Sequence, residues 1–165
     1  MDRMNGSVPT PAQKTPTLLI PAGEDRFGKF KTLGISLIAV KVSREESSDL
    51  FMAEITLDRK GGPAKHLHYS QDEWFYVVEG DFLIEAGDQR LRMKPGDSLF
   101  VARKTPHVWA NVGNGRLRFL ASVSPAGKLE AFFENAAKYN KPPGSDQAMW
   151  HPYDLEWVGP PLKIE

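Results

Sequence analysis

The sequence predicts an all-β protein: an antiparallel sandwich or small barrel, followed by one short helix and preceded by an extended arm. Between Thr17 and Pro125, short alternating runs recur, each closed by Gly, Pro, Asn or Asp. Regularly spaced short strands with turn residues between them fold as sandwiches or barrels. After Gly127 a run without breakers carries Leu129, Phe132, Phe133 and Ala136 at helical spacing, the pattern of an amphipathic helix. Residues 1–16 hold Pro9, Pro11 and Pro16 among polar residues and show no hydrophobic period, which predicts a flexible or draped arm.

Each element follows in order. Leu33 to Val42 is β-rich, and Leu50 to Leu57 alternates around Phe51, Ala53, Ile55 and Leu57. Glu73 to Glu79 carries Trp74, Phe75, Tyr76, Val77 and Val78, and Glu79-Gly80-Asp81 turns it into Phe82 to Ala86. Gly87-Asp88 leads to Gln89–Lys94, Pro95-Gly96-Asp97 to Ser98–Ala102, and Asn111 to Gly115 into Arg116–Val123. The helix is expected over Pro125 to Tyr139, with Lys138 in its last turn and Asn140 to Gly144 ending it. Phe132 and Phe133 read as core cover from that helix. The tail from Trp150 to Glu165 is rich in Trp, Tyr and Pro and is expected to pack back on the domain. The organisation expected is an arm over 1–16, a barrel over 17–125, and a helix with a Pro/Trp-rich tail over 126–165.

With 165 residues the chain suffices for one domain with a real core. Lys plus Arg equals Asp plus Glu at 21 each, so charge gives no reason to expect nucleic acid or an anionic membrane as partner. No apolar run is long enough to span a bilayer, and the N-terminus lacks an apolar signal core. Cysteine is absent, which excludes disulfides, thiolate ligands and Cys nucleophiles and is compatible with a reducing cytoplasm.

The chemistry concentrates in His66, His68, Glu73 and His107. His66 and His68 alternate on one strand-like segment and so project from one face. Glu73 opens the next apolar strand, and His107 follows a later turn. Three imidazoles and a carboxylate suit a divalent first-row metal and leave coordination positions open for water or substrate. A carboxylate beside an open metal position can also move a proton, which makes Glu73 the candidate catalytic residue. If Glu73 and His107 face inward, Phe75, Trp109 and Asn111 share that side by strand parity, and these three are the candidate substrate contacts. For Asn111, a turn role competes with a site role. Asp72 is expected outside the ligand set, and His151 to be structural or exposed.

The stretch Gly62 to His68, then Glu73 and Gly80, fits H-x-H-x4-E-x6-G without a gap. It resembles the first motif of the cupin superfamily. Pro95-Gly96-Asp97, His107 and Asn111 resemble the second. Two positions depart from it: Ala102 stands where the family usually has Pro, and Lys104 where it often has Gly. Ala126 to Glu134 and Val158 to Leu162 resemble single-domain cupins of the quercetin-dioxygenase-like kind, so the resemblance spans about Thr17 to Leu162. It implies a jelly-roll barrel with the four ligands converging inside its mouth.

Three functions compete, because this fold hosts many. The first is a metal-dependent oxygenase of dioxygenase type on a small enolic or aromatic substrate, with Fe or Mn favoured and Ni, Co or Zn as further options. The second is a non-redox metal-dependent isomerase or lyase. The third is a small-molecule-binding cupin without turnover. A homodimer is expected, since an extended arm and barrel edges invite pairing.

Overall fold

The computed structural model describes residues 17–139 and 144–164; the arm expected over 1–16 lies outside them. Eleven strands, β1 (Lys31–Leu33), β2 (Ser36–Val42), β3 (Phe51–Leu57), β4 (Ala64–His68), β5 (Asp72–Glu79), β6 (Phe82–Ala86), β7 (Gln89–Met93), β8 (Ser98–Val101), β9 (His107–Asn111), β10 (Leu117–Ser124) and β11 (Leu155–Pro161), accompany one helix, α1 (Leu129–Tyr139). All strand pairs are antiparallel. One sheet runs β1-β2-β3-β10-β5-β8 and the other β11-β4-β9-β6-β7. The two sheets make the antiparallel sandwich that the turn spacing predicted, in the jelly-roll form that the family resemblance implied.

Strand parity fills the space between the sheets. β3 alternates buried Phe51, Ala53, Ile55 and Leu57 with half-buried Met52, Glu54 and Thr56. β5 buries Glu73, Phe75 and Val77 and leaves Trp74, Tyr76 and Val78 on the outer side. The deep core is aromatic. Phe119 meets Phe82 at 4.9 Å and Trp109 at 4.8 Å between ring centroids, both edge-on, the geometry the ring quadrupoles favour.

Two element boundaries differ from the sequence reading. The β-rich stretch from Leu33 to Val42 is broken by a turn at Gly34-Ile35, so Leu33 pairs with Ser36 and a hairpin results; Gly34 takes φ +60°. The helix begins at Leu129 and not at Pro125. Gly127 sits at φ +54°, outside helical geometry, and a Cβ there would stand 2.6 Å from Gln71 Nε2.

The departure at Lys104 has a structural counterpart. Lys104 occupies the left-handed region at φ +64°, the conformation glycine adopts most readily, and its N–H donates to His68 O. Beyond the barrel, two 3-10 turns at Gln147–Met149 and His151–Tyr153 lead into β11, which pairs with β4 through Leu155 opposite His68 and Trp157 opposite His66. Among the described residues, no helix is long and apolar enough to cross a membrane.

Candidate metal centre

Both sheets contribute to the site. β4 and β9 pair with His66 opposite His107, and His68 lies two residues along the same face. Glu73 comes from β5 in the other sheet, where it is flanked by Val123 and Val101. One donor atom from each of the four residues lies within 4.8 Å of all the others. Glu73 Oε2 is 3.0 Å from His107 Nε2 and 3.4 Å from His68 Nε2. Adjacent ligands on an ion with bonds of about 2.1 Å stand about 3 Å apart, so these spacings suit a coordination shell.

The imidazoles are aimed by their far nitrogens. His66 Nδ1–H donates to Ala64 O at 2.8 Å and His107 Nδ1–H to Thr105 O at 2.9 Å. His68 Nδ1–H donates to Gln71 Oε1 at 2.9 Å. A carbonyl oxygen can only accept, so each ring is protonated at Nδ1 and directs the Nε2 lone pair inward. Gln71 is itself fixed: buried, it donates through Nε2 to Pro125 O at 3.1 Å and Ala126 O at 2.6 Å. The sequence reading missed Gln71. Its only signal was an amide two residues before Glu73, which is common in turns.

Burial sets the protonation states. Desolvation lowers His66, His68 and His107 from an ordinary 6.5 to about 4, so the rings are neutral near pH 7. Desolvation also pushes the Glu73 carboxyl up, against the pull of His68 and His66. Glu73 Oε2 and His107 Nε2 are buried without any hydrogen-bond partner. Buried polar atoms are almost always paired, and two unpaired acceptors pointing at one centre are what a cation would satisfy. The donor set and these atoms fit a divalent metal site, and the ligand types do not select one metal.

The cluster opens into a cavity of about 270 Å³. Of the three candidate substrate contacts, Trp109 lines it. Phe75 does not; it is fully buried behind the site, with its ring edge-on to His107 at 6.3 Å. Asn111 also lies outside the lining: it donates to Gly115 O at 2.9 Å and accepts from Gly113 N–H at 3.1 Å, closing a turn. Phe132 and Phe133, read as core cover, line the cavity as well. So does Trp150, whose ring is 5.6 Å from that of His66. Asp72 points away and pairs with Arg103 at 2.7 Å, which holds its carboxyl down at about 2. His151 is exposed.

Residues 53–123 match the family described as the cupin domain. That stretch of the chain is similar to the cupin domain. The matched segment holds all four donors, and a set of three histidines and one glutamate is typical of cupin metal sites. The curated relatives match over part of the chain. An uncharacterized protein of Methanocaldococcus jannaschii is 35% identical over 60 residues, 36% of this chain and 48% of that one. An oxidoreductase of Arthrobotrys oligospora is 32% identical over 87 residues, 48% of this chain and 34% of that one. The chain thus spans half or less of the length of these curated relatives. Among solved structures, the nucleoside dehydratase Pac13 from Streptomyces superposes with a TM-score of 0.55 at 12% identity, covering 81% of this chain and 87% of that one. At that identity the likeness is one of fold.

Proposed function

We propose that the protein is a metal-dependent oxidoreductase of dioxygenase type, akin to the quercetin-dioxygenase-like cupins, acting on a small enolic or aromatic substrate. His66, His68, His107 and Glu73 hold a divalent ion, with Fe or Mn favoured. When bound, that ion supplies a Lewis acid and a redox partner for O2 chemistry at a substrate oxygen. The observation that carries the reading is the contrast inside one cavity. Three of the four converging donors, His66, His68 and Glu73, line it, two atoms of the cluster are unpaired acceptors, and most of the remaining wall is apolar.

The chain's own residues have distinct tasks. Glu73 takes the proton of the substrate hydroxyl, and desolvation by burial, which pushes its carboxyl up, favours the form that holds it. Trp109 lines the cavity beside the cluster and offers a flat apolar surface to the substrate. The buried β-sandwich walls keep bulk water from the reacting edge. The oxidoreductase of A. oligospora supports this reaction class through a partial match.

Metal-free protein loaded anaerobically with Fe(II) or Mn(II) and then exposed to O2 should consume oxygen in the presence of flavonols or related enols. Glu73→Gln should lower the turnover number by at least about 100-fold, the usual contribution of a positioned proton carrier. No oxygen uptake with either metal across such substrates would overturn the oxygenase assignment. Activity that persists with Zn and without oxygen would instead favour the isomerase or lyase reading, in which Glu73 moves protons on a substrate that is not oxidised. Pairing of two copies is part of the proposal, and sedimentation velocity of the full chain tests it.

A further inference from the structure

The three segments that roof the cavity lie outside the matched stretch 53–123. The β1–β2 turn supplies Leu33 and Ile35, α1 supplies Leu129, Phe132 and Phe133, and the 3-10 segment supplies Trp150. We propose that this roof selects a flat, uncharged ligand and shuts out phosphorylated, sulfonated or carboxylated ones, with Trp150 as the specificity-determining residue. The proposal rests on the metal-centre reading of the four donors.

The distribution of charge carries the inference. Among the described residues, no Lys, Arg or Asp side chain lines the cavity; its ionisable groups are three of the clustered donors, His66, His68 and Glu73. Ser36 adds one hydroxyl, which makes no side-chain hydrogen bond among the described residues. An anionic group carried into the apolar remainder would be desolvated without a partner, which is strongly unfavourable. The shape argues for a flat ligand. Trp109, Trp150, Phe51, Phe132 and Phe133 all face the cavity, and aromatic walls pack best on planar partners. At about 270 Å³ the space falls just under the range for drug-sized ligands, which suits a molecule of about one or two rings.

Trp150 is placed to enforce this. It is buried, its ring lies 5.6 Å from His66 and 5.4 Å from Phe132, and its Nε1–H donates to Gly144 O at 2.8 Å. With that donor committed, the indole offers the ligand only its apolar body, beside a metal-binding histidine. A ligand whose oxygen-bearing edge reaches His66 lies beside that indole.

Binding to the full-length, zinc-loaded protein under nitrogen tests the idea without any turnover. The probes are 2,3-dihydroxynaphthalene and its ring-sulfonated counterpart, 6,7-dihydroxynaphthalene-2-sulfonate, followed by their own fluorescence. The neutral probe should bind at least about tenfold tighter, a difference of 1.4 kcal/mol. Trp150→Ala should weaken the neutral probe about tenfold with zinc stoichiometry unchanged, while Trp150→Phe should weaken it by less than about threefold. Equal affinity for the two probes, no binding of either, or a neutral-probe affinity unmoved in Trp150→Ala would overturn the proposal. A protein that takes up no zinc would count against the metal centre instead. The roof is then judged by the same pair of probes on the metal-free chain, where equal affinity again overturns it.

Discussion

Gln71 is the residue whose removal should separate positioning from ligation. It touches no donor atom of the cluster, yet it fixes the tautomer of His68 through Nδ1. Gln71→Leu should weaken zinc binding by about 10- to 100-fold, the usual effect of losing such a support, as read by competition with a chromophoric chelator. Unchanged affinity would mean that packing alone orients His68. The titrating groups make a second prediction. Each imidazole binds its proton at about 4 when folded and near 6.5 when unfolded. Between those values the unfolded chain holds more protons, so stability falls as pH drops from 6.5 through 4. Glu73 acts with the opposite sign, because its folded carboxyl is raised above 4.5 and its protonated form is lost as pH climbs through the raised value. Three histidines outnumber one glutamate, so urea midpoints of the metal-free protein should fall from pH 7 to pH 4. Lys104 offers a third test. Left-handed backbone costs a non-glycine residue about 1–2 kcal/mol, and glycine's extra chain entropy gives back about 0.5–1. Lys104→Gly should therefore raise stability by about 0.5–1 kcal/mol in urea titrations. The donors themselves were legible in sequence, because strand parity and the short polar turn before Glu73 leave few arrangements for them. The supports were not, since hydrogen bonds such as that from Gln71 to Ala126 O span 55 positions.

At the scale of elements, α1 and the strands divide the labour. Among the described residues, the strands hold every member of the candidate donor cluster and the helix holds none. Phe132 is buried and packs on Phe133, Trp150 and Tyr153 at centroid distances of 5.4–5.8 Å. Phe132→Ala should destabilise the protein by about 3–5 kcal/mol, as truncation of a buried aromatic does, while zinc stoichiometry stays at the wild-type value. Loss of metal together with stability would show that the helix orders the donors too. The periodicity of Leu129, Phe132, Phe133 and Ala136 revealed the helix but not its start. Gly127 sets that start, because its left-handed backbone is pinned beside Gln71, a contact distant in sequence. The β1–β2 hairpin was read as one stretch for a similar reason: Gly34-Ile35 carries a single turn residue between two apolar runs. Phe75 and Trp109 share a parity argument and yet part company. Phe75 faces the aromatic core and Trp109 also reaches the cavity, a difference of depth that parity does not encode.

For the whole molecule, binding of an ion at the proposed centre would be coupled to stability, because the candidate donors come from both sheets and meet only when the barrel closes. Zinc or iron at about 100 times its dissociation constant should stabilise the protein by about 2.7 kcal/mol, seen as a rise in thermal midpoint that a chelator reverses. The same addition to His107→Ala should give a much smaller rise; an equal rise would place the ion elsewhere. Fold class and the four side chains that converge could be read from the chain alone. Alternation and turn residues are local properties, and H-x-H-x4-E-x6-G with His107 names donors that only a converging barrel can use. The shape of the cavity, the turn role of Asn111 and the arrival of Trp150 over His66 were decided by tertiary structure. They depend on which distant segments the sheets bring together, and side-chain contact across 84 positions leaves no period in the sequence that links them.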